Sequence, residues 1–164
     1  DDARVFGNAL VFGNAEVSGD AEVSGNARVS GNAEVSGDAR VSGDARVFGD
    51  ARVSGNAEVS GDAEVSGDAR VSGDARVSGN AEVSGDAEVS GNADLLWVSK
   101  VGSRNGTTTF FKTKAGIFVN CGCYKGSLED FREKVTKERG DNEHAKAYYL
   151  IIELAVLRIK INKE

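Results

Sequence analysis

Ala15-Glu16-Val17-Ser18-Gly19-Asp20 is followed without a gap by Ala21-Glu22-Val23-Ser24-Gly25-Asn26, and this six-residue unit fills the chain from Ala3 to Asn92. Its form is Ala-x-Val-(Ser or Phe)-Gly-(Asp or Asn), and the 90 residues hold 15 copies. Ala93-Asp94-Leu95 begins a sixteenth copy that breaks off. Self-similarity at a short fixed period is the mark of a solenoid. Within each unit Ala and Val are two apart with a mostly charged residue between them, so alternation sends Ala and Val to one face and Glu or Arg to the other. Gly followed by Asp or Asn then turns the chain, because this pair adopts positive φ at small steric cost. A helix is excluded: a glycine at every sixth position would cost about 1 kcal/mol each in a helix interior.

Strands this short must pair with copies of themselves one coil on, at about 4.8 Å. A coil can be built from three units, which makes it an 18-residue coil, or from two, which makes it a 12-residue one. Opposite charges should stack and like charges should not. Counting stacked pairs along the sequence gives 8 opposite and 4 alike for three units, and 9 and 4 for two, so the tally does not choose. One column favours three units: Arg4, Glu22, Arg40, Glu58, Arg76 and Asp94 alternate in sign throughout.

The repeat resembles the hexapeptide of the left-handed parallel β-helix family, in which an inward aliphatic residue is followed four places later by a small one, as Val17 is by Ala21. The usual glycine directly after the aliphatic residue is displaced by one here, as in Val17-Ser18-Gly19. The resemblance implies a three-sided, left-handed, 18-residue coil. The expected fold is mainly β: a parallel β-helix over residues 1–94, then a small α+β cap over residues 95–164.

Charge divides at the same place. Up to Asn92 the chain has 7 Arg against 17 acids, a net of −10; afterwards 13 basic residues face 9 acidic ones, a net of +4. An acidic rod repels phosphate, and the later positive charge is spread among acids, which argues against nucleic acid as a partner. No run approaches the roughly 18 apolar residues of a membrane span, which sets a membrane aside. Two cysteines, Cys121 and Cys123, are too few for a disulfide framework and point to a reducing compartment. The opening Asp1-Asp2-Ala3 has no initiator Met, as expected inside a longer product.

The segment after Asp94 reads as strands at Leu-Leu-Trp-Val (95–98), Thr107 to Phe111 and Gly116 to Cys121, rich in β-branched and aromatic residues. Asn105-Gly106 signals a hairpin. Ser127-Leu128-Glu129-Asp130 opens a helix through Arg139, with Leu128, Phe131 and Val135 on one face and Gly140 as its stop. A second helix is expected from Asn142 to Ile161, apolar around most of its circumference. This segment resembles one that recurs at the end of uncharacterised bacterial and phage proteins, in the runs Gly102-Ser103-Arg104-Asn105, Gly122 to Phe131 and Gly140 to His144. That resemblance carries no activity. It is compatible with a cytoplasmic or phage-particle location.

The hexapeptide family is best known for acyltransferases, in which a coil-borne His is the general base and acyl-CoA lies between subunits of a trimer. No repeat here contains His; the only one, His144, falls at the start of the last helix. Losing a general base costs a factor of about 10² to 10⁴. Cys121-Gly122-Cys123 puts two thiols on one strand face, where small buried side chains are the simpler reading, and zinc wants four ligands. An 18-residue coil stacks Asp50, Asp68 and Asp86 at one corner, but the calcium-binding nonapeptide is absent, and solvated side chains bonded within the turns are expected. No catalytic, metal or cofactor set is therefore assigned.

Phe6, Leu10, Phe12 and Phe48 occupy outward positions where other repeats carry Ser or charge, which marks an interaction patch or a shielded edge. Tyr148, Tyr149, Ile152 and Leu157 mark the last helix as a cap or self-association surface. The expectation is a non-enzymatic structural or interaction module, homo-oligomeric through the last helix or the N-terminal coil. A trimeric acyltransferase-like protein and an engineered or consensus-like repeat scaffold are the alternatives.

Overall fold

The computed structural model describes residues 2–160. Among these, each repeat contributes one two-residue strand at its x-Val pair, from β1 (Arg4–Val5) to β13 (Arg76–Val77), β14 (Glu82–Val83) and β15 (Glu88–Val89). Every third strand pairs in parallel, Arg4 with Glu22 and Val5 with Val23, so three units close one 18-residue coil and the three sides are three five-stranded sheets. The repeat pattern left coils of three and two units level; the structure has three sides.

Coil-to-coil hydrogen bonding runs through strands and corners alike. In one repeat Arg40 N donates to Ala57 O at 2.8 Å, Ser42 N to Val59 O at 2.9 Å and Asp44 N to Gly61 O at 2.9 Å. Inside, every Ala and Val from Ala21 to Val89 is buried in one continuous column. The first coil differs: Ala9, Val11, Ala15 and Val17 are only partly buried and Val5 is 48% exposed.

The corner glycine is required twice over. Gly43 has φ +72°, and a Cβ there would lie 2.9 Å from Gly61 N and 3.1 Å from Gly61 O. The glycines stack backbone against backbone, which explains their place one residue later than the family pattern would put them: the turn tip is also the point of closest approach.

The alternating column is present over Arg4, Glu22, Arg40, Glu58 and Arg76, with Arg40 to Glu22 at 3.9 Å and Arg76 to Glu58 at 3.5 Å. Asp94, expected as its sixth member, leaves it. Its carboxylate accepts from Ser90 N at 3.0 Å and Ser90 Oγ at 2.8 Å, and lies 3.8 Å from Lys112 Nζ.

Residues beyond the repeats form a four-stranded antiparallel sheet, β16 (Leu95–Val101), β17 (Gly106–Thr113), β18 (Gly116–Cys121) and β19 (Tyr124–Ser127), then α1 (Leu128–Arg139) and α2 (Glu143–Arg158). Strand β19 is absent from the sequence reading. Gly122, at φ +59°, and Cys123 make a two-residue turn that pairs Cys121 with Tyr124, the Gly-first hairpin signal that was available there. The hairpin at Asn105 forms, with a four-residue connection from Gly102 to Asn105, and Asn105 takes φ +49°.

Ser127 caps α1 by accepting from Asp130 N at 3.1 Å, and Gly140 ends it at φ +56°. Asn142 caps α2, accepting from Ala145 N at 2.9 Å. Helix α2 stops at Arg158; Ile161, its expected end, lies outside the described residues.

Replacing Gly43 by Ala should lower stability well beyond the about 1–2 kcal/mol of a left-handed residue, because backbone blocks the methyl group. Gly85→Ala should cost only that amount, since φ is +65° but no atom lies within 4 Å. Urea unfolding followed by circular dichroism compares the two; equal losses would remove the close-approach argument.

Candidate functional site

The two ends of the solenoid are treated differently. At the C-terminal end the sheet lies across the last coil and alternates its side chains between two neighbours. Leu95, Trp97, Phe111 and Phe118 join the solenoid core, while Leu96, Phe110, Ile117 and Val119 join α1 and α2. Phe111 and Phe118 stack with centroids 5.5 Å apart. On the other face Phe131 meets Phe110 and Tyr148 edge-on at 6.3 and 5.5 Å. The sheet is thus a middle layer, apolar on both sides.

The open strand groups of the last coil find partners here, mostly side chains. Arg76 N, at the start of β13, donates to Asn92 Oδ1 at 3.0 Å, where the repeat pattern would offer the carbonyl of Ala93. Beside β14, Glu82 N donates to Thr109 Oγ1 at 3.1 Å and Glu82 O accepts from Asn120 Nδ2 at 3.0 Å. Next to β15, Ala87 bridges Thr113. Thr109 and Asn120 are 1% and 3% exposed, so these bonds are made out of water. The sequence reading passed over all three side chains, which look like ordinary strand and turn residues until an unpaired edge faces them.

Charge joins the two parts as well. Lys114 reaches Glu88 at 3.6 Å, Lys125 pairs with Glu82, and Lys112 pairs with Asp94. The −10 and +4 halves therefore meet where the basic segment covers acidic coils.

At the other end, Phe6, Leu10 and Phe12 are 52%, 51% and 55% exposed on the first coil, directly before Ser24, Arg28 and Ser30 of the second. Phe48 is 36% exposed and lies on the corner column of Phe12, two coils further on and separated from it by Ser30. The structure brings the first three together on one coil and sets Phe48 apart.

On α2, Tyr148 and Ile152 are buried with Ala145 and Ala155, and Tyr149 is half-buried, its hydroxyl 2.9 Å from that of Thr136. Leu157 stands outside at 75% exposure, beside Leu150, Leu154 and Val156. The residues singled out on this helix thus divide between the interior of the C-terminal layer and an exposed apolar stripe.

Cys121 ends β18, half-buried; Thr108 Oγ1 donates to its Sγ at 3.1 Å, and its thiol points to Tyr148 Oη at 3.6 Å. Cys123 is exposed in the turn, so the two thiols do not share a strand face as expected: the tight hairpin intervenes. They line an open cleft of about 250 Å³ with Arg104, Lys134 and Tyr148. Nearby, Tyr124 donates to Ser127 O at 2.9 Å, and burial, then the Asp130 and Glu129 carboxylates, raise its phenol above the ordinary value.

His144 is exposed in the first turn of α2. Among the described residues no group of three or more His, Cys, Asp or Glu is placed to hold a metal, and no helix is long and apolar enough to cross a membrane. Corner side chains bond along their columns instead of within their turns: Asn14 Nδ2 to Asn32 Oδ1 at 3.2 Å and Asn32 Nδ2 to Asp50 Oδ1 at 2.9 Å. Stacking at coil spacing places the next corner amide nearer than the local turn.

Three parallel sheets wound from one repeated unit define a β-solenoid repeat protein. Residues 3–19, 21–37, 39–55, 45–61, 63–79 and 69–85 match the family model described as YdcK Beta solenoid repeat, so the repeats of this chain are of the YdcK type. No curated protein and no solved structure matches the chain.

Phe111→Ala should lower stability by about 3–5 kcal/mol, the cost of emptying a buried aromatic site. Lys114→Ala should stay within about 1 kcal/mol, as a surface pair does. Thermal unfolding followed by Trp97 fluorescence separates them; a Phe111 loss as small as the Lys114 loss would mean that the sheet does not seal the coil.

Proposed function

We propose that this chain is a non-enzymatic structural or interaction module: a β-solenoid rod closed at its C-terminal end by the sheet and helices, and self-associating at its first coil. The observation that carries this reading is the asymmetry of the ends. Asn92, Thr109, Asn120 and Phe111 meet the polar groups and core of the last coil, whereas the first coil leaves Val5, Phe6, Leu10 and Phe12 about half exposed. Solenoids need covered ends, because a bare coil offers apolar filling and unpaired strand groups to any similar edge. The hexapeptide resemblance supports a left-handed winding, and the free charged faces suit a solvated spacer.

Ending the chain after Asn92 should convert it to assemblies larger than those of the 164-residue chain, through stacking of uncovered last coils. Size-exclusion chromatography with light scattering measures this. A truncated rod that stays folded, by circular dichroism, and no larger in association state than the full chain would overturn the capping role.

A further inference from the structure

The first coil carries three outward strand residues, one per face: Arg4, Leu10 and Glu16. Leu10 lies midway, with one repeat unit separating it from each of the others. A two-fold axis through the centre of the Leu10 face reverses the order of residues around the triangle. It sets Leu10 against Leu10 of a second copy, Arg4 against that copy's Glu16, and Glu16 against its Arg4. The same rotation brings the Phe6 corner onto the Phe12 corner. The apolar positions fall on the axis and at the two corners flanking it, and the charges fall where opposite signs meet.

We propose that two copies of this chain dock head to head through their first coils, with Leu10 on the two-fold axis and reciprocal Arg4–Glu16 pairs. The inference deepens the self-association reading above and rests on its closed C-terminal end.

Three further observations bear on it. Backbone groups are oriented for such a contact. In the second coil the carbonyls of Ala21, Val23 and Gly25 accept from Arg4 N, Phe6 N and Asn8 N. The equivalent carbonyls of Ala3, Val5 and Gly7, and their repeats at Ala9, Val11, Ala15 and Val17, point away from the second coil. Among the described residues no coil precedes them. In a parallel ladder a residue's N–H and C=O address the same neighbour, so this edge offers donors as well, and an antiparallel partner can use both.

The composition of the first coil is particular to it. The second coil has Ser24, Arg28 and Ser30 where the first has Phe6, Leu10 and Phe12; an edge meant for water would keep the polar residues. The far end is occupied by Thr109, Asn120 and Phe111, so head-to-tail stacking is blocked. An isologous contact closes at two copies, whereas a heterologous one would run on as a fibre. With a single 18-residue coil on each side, the contact sits just below the roughly 20–30 residues a side of a standard interface, so a dimer dissociating in the micromolar range is expected.

The test is sedimentation velocity of the full 164-residue chain from about 1 to 100 µM, a range that brackets micromolar dissociation. A monomer–dimer equilibrium is expected, with the heavier species at twice 17.1 kDa. The triple variant Phe6→Ser, Leu10→Arg, Phe12→Ser gives the first coil residues that the repeat already tolerates, so it should fold, and it should be monomeric throughout. Arg4→Glu and Glu16→Arg should each weaken the dimer about tenfold by turning two opposite pairs into like pairs. The double swap should restore it.

Leu150→Glu with Leu157→Lys, on the exposed stripe of α2, should leave the dimer intact. A monomeric wild-type chain, species beyond the dimer, a dimer that survives the triple variant, a dimer lost with the α2 variant, or a double swap without rescue would each overturn the proposal. None of these bears on the truncation result, which tests the closed end separately: a monomeric full chain with a self-associating truncated rod would defeat the head-to-head dimer and leave the capping role standing.

Discussion

A residue in this solenoid is held chiefly by its counterpart one coil away. Arg40, Ser42 and Asp44 each donate to the coil ahead, and Val23 and Val41 pair in register. The unit is too short to fold alone, since two strand residues and a turn enclose nothing. Everything else follows from making one coil fit the next: glycine where backbones approach most closely, valine and alanine inside, and a charged position that faces water and tolerates either sign. Like-charged neighbours such as Arg28 and Arg46, or Glu16 and Glu34, stack without disturbing the register. Backbone hydrogen bonds and the apolar column set the pairing, and exposed charges adjust it by small amounts.

Such a stack is uniform inside and unfinished at its ends, so any particular chemistry must lie there. At the C-terminal end the solution combines shape and polarity. Phe111 continues the valine column, Thr109 and Asn120 meet the open backbone groups at Glu82, and three lysines answer acidic side chains on the coil or just beyond it. The sheet that does this must itself be covered, and α1 and α2 do so with Phe131, Tyr148 and Ile152. The unusual α2, apolar on several sides, is explained in part: one side fills that layer, and Leu150, Leu154 and Leu157 remain outside. The first coil has no comparable layer among the described residues, and its departures from the repeat are apolar.

Much of this was legible in the residues. Strand, corner and inward face could be read from Ala-x-Val and Gly-Asn, because alternation and positive φ are local properties. The helix caps at Ser127 and Asn142, the stop at Gly140 and the hairpin at Asn105 were equally local. The odd residues Phe6, Leu10 and Phe12 stood out because the repeat supplies its own reference at each position. Strand β19 was missed although Gly122-Cys123 signalled it, since a two-residue hairpin leaves little sequence between the strands it joins.

Taken alone, the order of residues determined that the stretch up to Asn92 forms a solenoid of short strands with valine and alanine inside, and that a different α+β segment follows. Only the tertiary structure decided that each coil has three sides, since the charge pattern suits two or three units per coil almost equally and only the packing of a whole coil distinguishes them. It also decided the parts of Asn92, Thr109 and Asn120. Their amides and hydroxyl matter because an unpaired strand edge lies opposite, and where that edge falls depends on pairing between residues 16 to 38 positions apart.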